Sequence, residues 1–108
     1  DHGLTLAIVL PHLLRDQFQY KKAKLVQCGE RVFGICGGTE DERASRTIDA
    51  IEQFFLTMYE GKIRLTDYGI AHEQLTEIWE RFAARRWKLG ENRTIDAAAV
   101  QRILIAAL

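Results

Sequence analysis

Leu4, Leu6, Ala7, Ile8, Val9, Leu10, Leu13 and Leu14 cover every side of any helix formed by the segment from Leu4 to Phe18. A helix with no polar face must be surrounded, so this segment belongs at the centre of whatever the chain folds into. The β-branched pair Ile8-Val9 makes a short buried strand the competing reading. Length and the polar tail Arg15-Asp16-Gln17 favour the helix, with Pro11 kinking it or sitting in an early turn. The run from Leu6 to Leu10, resuming at Leu13 and Leu14, is too short to span a bilayer. It has neither a basic leader nor a small-residue cleavage site, so no secretory leader is expected.

Four further segments carry helical periodicity, and none shows sustained alternation. The second, from about Tyr20 to Phe33, aligns Leu25, Cys28, Gly29, Val32 and Cys36, with Gly34 and Gly37-Gly38 as its stop. The third has the clearest start. Thr39 with Glu42 fits a capping box, and Glu40-Asp41-Glu42 set negative charge at the positive end of the helix dipole. Ala44, Ile48, Ile51, Phe55 and Met58 make its expected buried stripe, with Phe54 beside it and Gly61 ending it. Ile63 and Leu65 lead into Thr66-Asp67-Tyr68-Gly69, a turn by composition. The fourth segment, from about His72 to Leu89, buries Leu75, Ile78, Trp79, Phe82 and Ala83 and stops at Gly90. Thr94 is expected to cap the fifth, with Val100, Ile103, Leu104 and Ala107 facing inward. The expected fold is all-α, a bundle of about five helices forming one domain over residues 1–108.

Composition excludes several functions. Lys+Arg and Asp+Glu both number 15, which removes the usual electrostatic case for nucleic acid or an acidic membrane as partner. The basic cluster Arg85-Arg86-Trp87-Lys88 reads as a solvated helix C-terminus complementing its dipole. Cys28 and Cys36 are too few for a disulfide framework and are expected as buried thiols in a reducing cytoplasm. The opening Asp1-His2-Gly3, with Met58 the only methionine, reads as the remainder of a longer polypeptide.

Catalytic signatures are sparse. Gly34, Gly37 and Gly38 follow a helix, the wrong polarity for cradling phosphate. No CxxC pair and no HExxH occurs, and the one serine, Ser45, lies among charges inside a helix. Three histidines remain. His12, after Pro11, reads as a hydrogen-bonded residue of the core or its edge, and His72 as an exposed or capping residue. His2 stands at the mouth of the most apolar helix, where a neutral imidazole suits a divalent metal. One histidine cannot hold a catalytic metal alone, and spacing carries the argument no further.

The run Asp1-His2-Gly3-Leu4-Thr5-Leu6-Ala7-Ile8-Val9-Leu10-Pro11 resembles a signature of the iron-containing (group III) alcohol dehydrogenases. The likeness continues through Lys22-Ala23-Lys24-Leu25, Glu30-Arg31-Val32-Phe33, Asp67-Tyr68-Gly69-Ile70 and Leu89-Gly90-Glu91-Asn92. These blocks resemble most the branch of NADPH-dependent aldehyde reductases and NADH-dependent butanol dehydrogenases. The resemblance implies a C-terminal piece of a two-domain enzyme with a dehydroquinate synthase-like helical domain. Its N-terminal α/β domain would bind NAD(P)(H), and hydride would pass between that cofactor and an aldehyde or alcohol. Iron or zinc would polarise the substrate oxygen. The family's last histidine ligand maps onto His2; an aspartate and two histidines would lie upstream of Asp1. His12 is not promoted to a ligand, and Gly90-Glu91-Asn92, which resemble a loop near the family's cleft, are given no catalytic role. The implied partners are the N-terminal nucleotide-binding domain and the aldehyde or alcohol, with self-association through an exposed apolar face near residues 2–14 also expected. The isolated chain is expected to hold no cofactor and to be inactive. The alternative is a free-standing helical module that binds a partner without catalysis.

Overall fold

A computed structural model describes residues 2–108; Asp1 lies outside the described residues. Five α-helices follow one another: α1 (His2–Asp16), α2 (Phe18–Phe33), α3 (Glu40–Met58), α4 (His72–Arg85) and α5 (Ala97–Ala106). A short 3-10 helix, Leu65–Tyr68, lies between α3 and α4. Among the described residues the only β pairing is one isolated antiparallel bridge, Leu89 to Ile95. The all-α expectation is met.

The apolar segment forms one helix throughout, and the strand reading of Ile8-Val9 falls away. Pro11 is neither in an early turn nor at the helix end; it lies well inside α1 and is fully buried. Gln17 alone separates α1 from α2, and its carbonyl accepts from the N–H groups of Tyr20 and Lys21. Helix α1 packs on α3 and α5, α2 on α3, and α4 on α5. Two cores result. Ala7 and Ile8 of α1 join Ile63, Leu65, Leu75 and Ala107 in the larger one, with Phe55, Trp79 and Leu104 around it. Leu25, Ala44 and Ile48 make the smaller one, with Leu14, Phe18, Val26 and Ile51. Helix α1 contributes to both, which is what a segment apolar on all sides permits.

The caps explain where the helices begin and end. Thr39 and Glu42 form the full capping box, the Thr39 hydroxyl accepting from Glu42 N–H and the Glu42 carboxylate from Thr39 N–H. Gly34, at φ 65°, ends α2 in the left-handed conformation that a side chain resists.

Several sequence expectations are corrected. Helix α4 ends at Arg85, four residues before Leu89, because Arg86 turns left-handed at φ 53° and Trp87 folds back edge-on against Phe82, ring centres 5.1 Å apart. The cap of α5 is Asp96, whose carboxylate accepts from Ala99 N–H. Thr94 instead donates its hydroxyl to the Gln17 side chain. Val32, Met58, Ile78 and Ala83 lie on the apolar stripes but remain exposed, and so does Phe54 beside one of them. Both thiols are free, Cys28 half-buried and Cys36 exposed, so neither is a core thiol. No helix among the described residues is long and apolar enough to cross a membrane.

Candidate functional site

His2 is the first residue of α1, and its side chain is exposed. The seat of the helix is fixed one to three turns further on, where Ala7, Ile8 and Pro11 are buried. The imidazole is therefore carried on an anchored helix but stands at its open end. The other two histidines are placed differently. His12 is half-buried, and burial pushes its pKa below the ordinary value. His72, the first residue of α4, is exposed and meets Trp79 edge-on at 5.4 Å. The fold does not assemble the three into a site, and among the described residues no group of three His, Cys, Asp or Glu side chains is placed to hold a metal ion. These residues fit one corner of a metal centre, a single imidazole, and not a whole one.

The same end of α1 carries an apolar groove. Leu4, Thr5, Ile8 and Val9 line it with Leu65, Tyr68 and Ile70. A second groove, further along α1, is floored by Leu10, Leu13, Leu14, Leu25 and Ile51, with Lys21 and Lys24 beside them. Leu6, on the same helix, is 46% exposed.

The far end of α1 holds a polar cluster that residue spacing does not reveal. Gln17 is only 3% exposed; its amide donates to Asp16 at 2.8 Å, and its carbonyl oxygen accepts from Thr94. Asp16 also accepts from Arg102 of α5 at 2.6 and 3.2 Å, and the Arg102 guanidinium holds the Asp16 carboxyl below its usual range. Lys21 of α2 donates to Glu91 at 2.8 Å, which lowers the Glu91 pKa. The loop carrying Gly90-Glu91-Asn92 is thus tied to the α1–α2 junction at two points. In the sequence, Asp16 and Gln17 show only as the polar tail of the apolar segment. The basic cluster behaves as a helix end: the Arg85 guanidinium lies 4.9 Å from the Trp87 ring centre.

Comparison with known proteins gives this arrangement its context. Residues 1–108 match the Fe-containing alcohol dehydrogenase family, C-terminal. The chain is 37% identical over 108 residues to the NADPH-dependent aldehyde reductase YqhD of Escherichia coli (strain K12), covering 99% of this chain and 28% of that protein. It is 33% identical over 103 residues to the NADP-dependent alcohol dehydrogenase 3 of Entamoeba histolytica, covering 95% of this chain and 25% of that protein. The substrate- and cofactor-free structure of the Escherichia coli aldehyde reductase superposes on the whole chain with a TM-score of 0.87 at 37% identity, again over 28% of its own length. A second crystal structure of YqhD gives 0.88. The chain spans about a quarter of the length of the relatives it matches. A likeness that runs through every helix, at this identity and with this superposition, places the chain in the iron-containing alcohol dehydrogenase family, as its C-terminal helical part.

Proposed function

We propose that this chain is the C-terminal helical portion of an oxidoreductase that passes hydride between NAD(P)(H) and an aldehyde or alcohol. The observation that carries the reading is the end-to-end likeness to the C-terminal part of an NADPH-dependent aldehyde reductase, with one exposed imidazole at the mouth of α1. His2 would donate a ring nitrogen to iron or zinc, with the remaining ligands supplied by residues outside this chain. Such sites hold their ion through about three protein ligands or more, and one imidazole leaves most of the affinity missing. The metal's contribution, when bound, is to polarise the substrate oxygen. This chain's own part is to seat the His2 helix and to present the apolar groove of Leu4, Ile8, Val9 and Ile70 beside it. The partner is the nucleotide-binding domain of the longer enzyme. Two free thiols, one of them exposed, suit a reducing cytoplasm.

The test uses two proteins, the 108-residue chain alone and a longer protein carrying it at its C-terminal end. Aldehyde-dependent oxidation of NADPH is followed by absorbance in both. The proposal expects turnover in the longer protein and none in the chain alone. Folded longer protein with no turnover on any of a panel of short aldehydes would favour the partner-binding module instead.

A further inference from the structure

His12 lies just past the buried Pro11 and lines a cavity of about 100 Å³ with Glu52 and Leu56 of α3 and Gly61, Ile63 and Arg64 of the link that follows. The Glu52 carboxylate takes two hydrogen bonds from the Arg15 guanidinium, at 3.1 and 2.7 Å. Asp49, one turn earlier on α3, accepts a third from Arg15 at 3.2 Å. Arg15 therefore has two carboxylates within reach, and Glu52 has one cation plus the His12 imidazole lining the same cavity. The charged groups acting on His12 are Glu52 of α3, Arg15 of its own helix and Arg64 of the link. Arg102 of α5 and Lys21 of α2 are engaged elsewhere, by Asp16 and Glu91.

Burial is the main cause that lowers the His12 pKa; Glu52 draws it upward, and the two arginines push it down. A proton placed on this ring needs a partner, since a half-buried cation is costly when unpaired. Glu52 is the carboxylate that acts on it, and Asp49 stands ready to keep Arg15 paired if Glu52 leaves. The cavity supplies what a close-packed interior lacks, room for the carboxylate to turn. Exchanging Arg15 for His12 moves the Glu52 contact by about one turn along α1, because residues three apart stack on one helix face.

We propose that His12, Glu52, Arg15 and Asp49 form a proton-operated partner exchange where α1 seats on α3. With neutral imidazole, Glu52 holds Arg15; when His12 takes up a proton, Glu52 turns to it and Arg15 passes to Asp49. The device does not depend on the proposed enzymatic role, because every group in it is in this chain.

The test is an NMR titration of the protein, following the His12 ring, the Glu52 carboxyl carbon and the Arg15 guanidinium between about pH 5 and pH 8, the range in which histidine switches. The exchange expects all three signals to share one midpoint, below the ordinary histidine value of about 6.5. In Glu52→Gln the Arg15 signal should cease to follow His12, and the His12 midpoint should fall further. In His12→Gln neither Glu52 nor Arg15 should show a midpoint in this range. A wild-type titration in which His12 moves while Glu52 and Arg15 stay still overturns the proposal. So does a His12 midpoint at or above the ordinary value.

Discussion

Substituting alanine for Gly29 gains helix propensity and loses packing, and the geometry decides which wins. Gly29 is buried in the interior of α2 and has no left-handed backbone, so its requirement is space alone. A Cβ added there would stand 2.1 Å from Thr47 Oγ1 and 3.3 Å from Thr47 Cβ, against roughly 3.5–4.0 Å for an ordinary carbon contact. Thr47 cannot simply turn aside. It is 0% exposed, and its hydroxyl donates to the Arg43 carbonyl at 2.8 Å. Either that bond breaks or α2 and α3 move apart over Leu25, Ala44 and Ile48. Overpacking of this kind costs about 3 kcal/mol at the upper end of its usual range. The gain from replacing glycine in a helix is about 1 kcal/mol. The net expectation for Gly29→Ala is a loss of about 2 kcal/mol, read as a lower midpoint in urea denaturation followed by far-UV circular dichroism. Adding Thr47→Ala removes the nearest clashing atom, so the double variant should be more stable than the sum of the two single losses. A Gly29→Ala protein as stable as wild type would refute the reasoning, since it would mean that α2 and α3 do not cross closely there.

Other expectations follow from single contacts. Asp96→Ala should cost about 1 kcal/mol and speed amide exchange in the first turn of α5, whereas Thr94→Ala should leave that turn protected. Stability should fall as the pH drops below about 6.5, because the unfolded chain protonates its histidine first while His12 in the fold resists; His12→Gln should remove that part of the slope in urea titrations. Asp16 contributes with the opposite sense of charge: its lowered pKa gives stability that is present above about 3.9 and lost as the pH falls further through the folded value. Arg102→Ala should cost no more than about 1 kcal/mol, because solvent screens the exposed guanidinium, and it should shrink this acid loss.

The helices were legible because each carries a local signal: the capping box at Thr39, the left-handed glycine at Gly34, and apolar spacing along α3 and α5. Burial was less so. Periodicity tells which face of a helix is apolar and not whether anything covers it, which is why Val32, Met58 and Ile78 read as stripe residues and yet lie exposed. The errors at the end of α4 and the start of α5 both come from side-chain contacts outside the helix pattern. Arg85 to Lys88 suited a helix C-terminus and Thr94 suited a cap, but Trp87 is drawn back onto Phe82 and the Thr94 hydroxyl is taken by Gln17, 77 positions away in the chain. The second contact is too distant in the chain to leave a trace in local spacing, and the first is a fold-back that helical periodicity does not encode. His2 stood out only through its place at the mouth of α1 and through resemblance, for a lone exposed histidine has no pattern of its own.

We propose His2 as one ligand of a metal whose other ligands are supplied by residues outside this chain. Metal content by elemental analysis, in the longer protein carrying this chain with and without His2→Ala, tests it most directly. The account expects iron or zinc at about one per chain in the wild type, the number one four-ligand site would hold. In His2→Ala it expects loss of both that metal and aldehyde-dependent NADPH oxidation, with helical content unchanged because the side chain is exposed. Metal and turnover both unchanged in His2→Ala would contradict it.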